Sequence, residues 1–122
     1  MNKYQRLANL LIKKTREKNA GWQPTSRNGV FSLSLPDYSV LISMVSSRDD
    51  DPSAPDDVLL QIVNADGTVI DRARDTEIAE GMPSADQRAF YTAIQEMYEQ
   101  ARRQAFGVDQ ALDKLIEELD KA

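Results

Sequence analysis

The beginning of the chain repeats its apolar residues with the period of an α-helix. Apolar side chains recur at intervals of three and four residues, and charged residues fill most positions between them. The pattern predicts a helix over about residues 2–19, ended by Asn19-Ala20-Gly21, with Trp22 and Pro24 in the loop that follows. The apolar positions of its buried face are Tyr4, Leu7, Ala8, Leu11 and Ile12.

From Asn28-Gly29 onward the period changes to two, which is typical of strands with one buried face. Two such strands are predicted on either side of the Pro36-Asp37 turn, and a third over residues 58–63. Asp66-Gly67 supplies the positive φ of a tight hairpin into a fourth strand. Because the connections are short, the four strands are expected to be antiparallel neighbours in a meander. The side chains expected to face the core are Val40, Ile42, Val58, Leu60 and Ile62.

Two further helices are predicted after the sheet. Ser84 and Gln87 have the spacing of a capping box and mark the start of the first, and Gly107 is expected to end it. Asp109 is expected to cap the last helix. The predicted stripe of the first is Phe90, Ala93, Ile94, Met97, Ala101 and Ala105, and the apolar side of the last is Val108, Leu112, Leu115, Ile116 and Leu119.

These elements predict one α+β domain over residues 1–122. It has a four-stranded antiparallel meander with one N-terminal and two C-terminal helices, in the order α-ββββ-α-α. A chain of 122 residues is long enough for one hydrophobic core. No apolar run approaches the roughly 20 residues of a membrane span, and the first residues lead into an amphipathic helix rather than a signal-peptide core. We therefore expect a cytoplasmic protein that does not contact membranes.

Residue types essential to several kinds of chemistry are missing. The chain has no histidine and no cysteine, which removes Ser-His-Asp and Cys-His arrangements and most metal sites. Lysine is absent from residue 19 to residue 113, so the sheet offers none for a phosphate loop or a Schiff base. We expect a protein that is not an enzyme, with no catalytic residues, no metal and no cofactor.

The acidic run over residues 49–57 has two interpretations. Its carboxylates could hold a calcium or magnesium ion, or they could belong to a solvated hairpin loop. A calcium-binding loop that began at Asp49 would need glycine and glutamate where the chain has Ala54 and Leu60. The sequence therefore favours a mobile loop that binds no metal tightly.

Charge is unevenly distributed. The net charge is −5, yet residues 1–20 contain six basic residues and one acidic residue. The basic face of the first helix could contact nucleic-acid phosphates, or it could pack beside the acidic last helix. Nucleic-acid binding is the weaker expectation, because no aromatic residue alternates with the basic ones. The residues that would carry it are Lys3, Arg6, Lys13 and Lys14.

Surfaces of the sheet and of the long helix suggest a binding site. Leu41, Val45, Leu59 and Val63 alternate with the core positions, where a one-sided sheet normally has polar residues. Either helices cover both faces or the second face meets a partner. On the predicted helix that begins at Ser84, Tyr91, Tyr98 and Arg102 are residue types enriched at protein interfaces. Alternatively, they line the edge of the core with their polar ends in water. Trp22 is expected to cover one end of the core, as a core lid. Alternatively, its exposed ring would serve as a stacking platform for a ligand.

Several short segments together resemble a recurring type of small bacterial protein of unknown function, often associated with mobile elements. The resemblance covers nearly the whole chain and implies no particular activity. The segments that carry it are residues 10–15 with Trp22, Tyr38-Ser39-Val40, Asn64-Ala65-Asp66-Gly67, and residues 101–109.

The combined sequence features favour an interaction or regulatory module that binds a protein partner. Because apolar positions exceed what three helices are expected to cover, we predict a homodimer. The alternatives are a nucleic-acid-binding accessory protein and a small-molecule or nucleotide-binding protein. The predicted partner-binding residues are Leu41, Leu59, Val63, Tyr91, Tyr98 and Arg102.

Overall fold

The computed structural model describes residues 2–47 and 55–122. The chain forms an α+β fold in which helices cover one face of an antiparallel sheet. The elements are α1 (Lys3–Arg16), β1 (Gln23–Pro24), β2 (Phe31–Ser34), β3 (Tyr38–Val45), β4 (Asp57–Asn64), β5 (Val69–Arg74), α2 (Asp75–Ile78), α3 (Ser84–Phe106) and α4 (Val108–Asp120).

The first helix is fixed at both ends by local chemistry. The Asn2 side chain accepts a hydrogen bond from the Gln5 backbone N–H at 2.8 Å, and the Gln5 side chain accepts one from the Asn2 N–H at 3.3 Å, which completes a capping box. The helix ends at Arg16, because Lys18 adopts a left-handed conformation with φ 60°. The predicted end at residue 19 was therefore three residues too late.

The sheet contains five strands in sequence order, β1-β2-β3-β4-β5, and all neighbours are antiparallel. The predicted meander is confirmed, but the expected count of four strands omitted β1. That strand pairs Gln23 with Ser32 and Pro24 with Phe31 at the edge of the sheet. Two residues are too few to display an alternating pattern, and proline is accepted in strands mainly at such edges.

Alternation along the strands divides the sheet into an inner and an outer face. Phe31, Ile42 and Leu60 lie in one cross-strand row and are all buried, which defines the inner face. The predicted inward set is confirmed, although Ile62 is only partly buried. The period-two pattern before Pro36-Asp37 predicts that Leu35 continues the buried face of the first strand, but Leu35 lies beyond the end of β2 and is exposed.

The β4–β5 hairpin has the predicted turn. Gly67 has φ 84°, and its N–H donates to the Asn64 carbonyl at 3.0 Å. The strand that follows leads directly into α2, a single helical turn that was not predicted, because four residues display no helical period. The Gln5 side chain of α1 donates to the Ile78 carbonyl at 2.9 Å and ties this turn to the core.

The long helix α3 packs its predicted stripe onto the inner face. Phe90, Ile94, Met97 and Ala101 are buried, and Ala93 and Ala105 are partly buried against them. The expected capping box is wrong, because Pro83 occupies the N-cap position and places Ser84 within the helix. The Gln87 side chain donates instead to the carbonyls of Ala79 and Met82, at 3.3 and 3.1 Å.

Trp22 closes the core between α1 and the sheet, as expected of a core lid. Its side chain is buried, and the indole N–H donates to the Thr15 hydroxyl at 2.9 Å. A buried indole cannot stack on an incoming base, so the alternative role as a stacking platform is wrong. Thr15 is also held by α3, since the Gln104 side chain donates to its carbonyl at 3.0 Å.

Candidate interaction surface

The last helix, α4, exposes its apolar face. The exposed fractions are 45% for Leu112, 53% for Leu115, 65% for Ile116 and 73% for Leu119. These residues follow the spacing by which α1 and α3 bury theirs, yet α4 has no buried residue. A contiguous apolar face left in water is typical of a contact surface.

The junction with α3 sets the direction of α4. Gly107 ends α3, as predicted, in a left-handed conformation with φ 61°. Asp109 was expected to cap α4, but its carboxylate accepts a hydrogen bond from the Arg103 guanidinium at 2.7 Å. This bond holds the pKa of Asp109 below its ordinary value. The glycine and the ion pair together turn the chain from one helix into the next.

Carboxylates flank the apolar face of α4. Five acidic and two basic residues occupy positions 109–122. Lys114 pairs with Glu118 at 3.8 Å and Lys121 with Glu117 at 3.0 Å. In the described part of the chain, Asp113 and Asp120 form no ion pair. They lie seven residues apart, about two helical turns, and form an acidic edge beside the apolar residues.

The outer face of the sheet contains three of the predicted partner-binding residues. Leu41, Leu59 and Val63 lie in rows offset by one residue from the buried ones, so they point away from the helices. They are partly buried, and their cross-strand neighbours are largely polar, including Gln61 and Arg74. In the described part of the chain, α1, α2 and α3 bury their side chains in the core on the inner face, and α4 buries none, so no helix covers the outer face. The expectation that helices cover both faces is therefore wrong.

The other three predicted residues lie on α3, across the sheet from the first three. The Tyr98 hydroxyl donates to the Gly29 carbonyl at 2.8 Å, and its ring lies 5.7 Å from that of Phe31. Burial is the main cause of the raised pKa of both Tyr98 and Tyr91. Arg102 bonds through Nε to the Glu99 carboxylate at 3.0 Å. The six residues do not form one surface, and their role in binding stays a prediction.

The basic residues proposed for nucleic-acid contact are exposed on α1. They lie at Lys3, Arg6, Lys13 and Lys14. The alternative, that the basic face packs beside the acidic last helix of the same chain, is met only where α4 begins. There Arg16, Lys18 and Asp109 line one cavity, and Lys18 helps to lower the pKa of Asp109, but no residue from 109 to 122 is buried. Whether these cations contact phosphates stays a prediction.

Two buried carboxylates lie where β4 begins and β5 ends. Asp57 accepts a hydrogen bond from the Arg74 guanidinium at 3.0 Å. Asp75 has a raised pKa, chiefly because of burial, with the nearby Asp57 contributing. Among residues 2–47 and 55–122, no group of three or more carboxylates could hold a metal ion. The predicted acidic loop lies mostly outside the described residues, since residues 48–54 are not among them.

Comparison with known proteins adds no further assignment. No protein-family model, curated protein or solved structure matches this chain. The resemblance to small bacterial proteins stays a prediction. Within the described ranges, no helix combines the length and the apolar character needed to cross a membrane.

Proposed function

We propose that this chain is a non-enzymatic protein-interaction module that self-associates through the apolar face of α4. The observation that carries the proposal is the exposure of Leu112, Leu115, Ile116 and Leu119 on a helix that buries nothing within its own chain. The other two long helices bury their apolar stripes in the core. A contact surface is the simplest explanation for the difference.

The energetics favour covering α4. Burying a leucine or isoleucine side chain completely is worth about 1.5–3 kcal/mol, and these four side chains retain roughly half or more of their surface in water. A helix of 13 residues is also marginal by itself in water. Docking would therefore stabilise α4 both by removing apolar surface from water and by holding the helix formed.

The acidic flanks of α4 argue for a protein partner over a lipid or nucleic-acid surface. Helices that lie on membranes are typically rich in Lys and Arg, and anionic headgroups repel carboxylates. Nucleic-acid phosphates would repel them in the same way. A second copy of the chain provides a basic complement in residues 1–20, and symmetric homo-oligomers are the commonest soluble assemblies.

The test is the solution mass of the chain at micromolar concentration, with two variants that introduce the same residue on α4. Leu115→Glu places a charge in the apolar face, and we expect a folded monomer, since an unpaired charge at an interface is unfavourable. Gln110→Glu, at an exposed position on the opposite side of α4, should assemble like the wild type. Circular dichroism verifies that both fold. A monomeric wild type, or a Leu115→Glu variant that assembles normally, contradicts the proposal.

The second candidate function is nucleic-acid binding by α1. Its supporting observation is that Lys3, Arg6, Lys13 and Lys14 are all exposed. Such binding should weaken steeply with salt, because each phosphate contact releases counterions. The constant for binding to a duplex or a single strand should fall with salt concentration with a log–log slope of about −3 to −4, as roughly four phosphate contacts would give. That slope would favour this candidate. A lack of retention at low salt would remove it.

A further inference from the structure

A groove separates α1 from the beginning of α3. It encloses about 870 Å³, and its floor includes the buried side chains of Ile12 and Phe90. On the α3 side it is bounded by Ala89 and Ala93, one helical turn apart. Small side chains at these positions let another helix approach closely.

We propose that this groove is the receptor for α4 of a second copy of the chain. The proposal rests on the self-association proposed above and specifies where each copy holds the other. It is an instance of helix-in-groove recognition, in which the apolar face of an amphipathic helix lies between two helices of its partner. If two copies do this reciprocally, the dimer has two equivalent contacts.

The lengths of the two surfaces agree. Gln5 and the C-cap residue Glu17 both line the groove and lie twelve positions apart along α1, which corresponds to about 18 Å at 1.5 Å per residue. The apolar face of α4 runs from Val108 to Leu119, or about 17 Å. The whole face therefore fits along the groove.

Charge selects the groove over other surfaces of the second copy. Lys13 lies on the rim that α1 contributes, and among the described residues it forms no ion pair. Arg16, one turn further along the same rim, pairs with Glu96 at 3.6 Å, and both side chains are exposed. These cations complement the acidic edge of α4 formed by Asp113 and Asp120. Glu17 and Asp86 also line the groove, so the complementarity is confined to this stretch of the rim.

Pairing of α4 with α4 of a second copy is the competing arrangement. It would bring together two helices that each have five acidic and two basic residues over positions 109–122. Like charges that meet at an interface disfavour it. Docking against α1 replaces this repulsion with attraction.

Charge reversal in the full-length chain tests the proposal, with the dimer dissociation constant measured by sedimentation equilibrium. Lys13→Glu should raise that constant roughly tenfold, because a favourable rim contact becomes repulsive. Lys14→Glu is the matched control: it lies next to Lys13, is exposed and does not line the groove. We expect it to change the constant less than about twofold.

The compensating change completes the experiment. Asp113→Lys with Asp120→Lys should weaken the dimer by itself, and adding Lys13→Glu to this pair should restore affinity to within about threefold of the wild type. Adding Lys14→Glu to the same pair should restore less of the dimer affinity. Equal effects of Lys13→Glu and Lys14→Glu, or a dimer tightened by the two α4 lysines, would overturn groove docking. The proposed function would still hold in that case if Leu115→Glu gives a monomer, and a wild type that never dimerises would overturn both.

Discussion

Truncating Leu11 should cost much of the stability of the fold, whereas the same change at its neighbour should cost little. Leu11 is 5% exposed within the core, and Leu10 is 57% exposed on the opposite side of α1. Buried leucine-to-alanine changes cost about 2–5 kcal/mol, because apolar contacts are lost and a cavity remains. Exposed changes usually stay within about 0.5 kcal/mol. A chain of this length typically has about 6–18 kcal/mol of stability in all, so Leu11→Ala would remove a substantial part of it.

Urea denaturation measures the difference between the two variants. Trp22, the one tryptophan of the chain, is buried against Thr15 of α1 and reports directly on the packing of that helix. The measurement is made well below the concentration at which the chain assembles, so that dimer dissociation does not enter the free energy. Equal costs for Leu10→Ala and Leu11→Ala, or a Leu11→Ala cost below about 0.5 kcal/mol, would refute the assignment of α1 to the core.

Three further predictions each concern a local feature of the fold: a buried carboxyl group, a hydrogen bond and a backbone angle. Burial raises the pKa of Asp75, so the folded state keeps that proton where the unfolded state has lost it. The stability of the wild type relative to Asp75→Asn should therefore fall as pH rises from about 4 through the raised pKa, and a flat or rising difference in urea titrations across this range would contradict it. A double-mutant cycle of Trp22→Phe and Thr15→Val should give a coupling of about 0.5–1.5 kcal/mol for their hydrogen bond, and zero coupling would count against that bond. Gly107→Ala should lower the free energy of unfolding by about 1 kcal/mol in thermal melts, because φ 61° is sterically unfavourable for alanine. An unchanged melting temperature would mean that this φ is not maintained in solution.

Periodicity was sufficient to predict the long elements and their buried faces. The stripe from Phe90 to Ala105 and the alternation along β3 and β4 repeat often enough to distinguish helix from strand. Elements shorter than one period, such as β1 and α2, leave no pattern to detect. The ends of helices also depend on the tertiary structure: Pro83 displaces Ser84 from the cap, and Arg103 binds the Asp109 carboxylate that was expected to cap α4.

The candidate surface was less accessible to sequence reasoning. The spacing of Leu112, Leu115 and Leu119 predicts an apolar helix face, but spacing does not say whether the same chain covers it. The extra apolar residues of the strands and of α3 favour a contact surface at Leu59 and Tyr98 instead. In the structure these side chains are partly buried, while the last helix remains uncovered. Only the three-dimensional arrangement distinguishes a face that is buried from one that is free to bind.

Hydrogen exchange of the α4 amides as a function of protein concentration shows whether assembly covers this helix. A 13-residue helix that buries no residue in the core opens readily, so its amides should exchange quickly in the monomer. When the apolar face docks on a second copy, the same amides should become protected, while those of the β3–β4 pair should stay protected at every concentration. Protection of the α4 amides should appear with the dimer and be lost on dilution or in Leu115→Glu. If α4 exchanges equally fast in the assembled protein and in the monomer, its apolar face is not the contact surface.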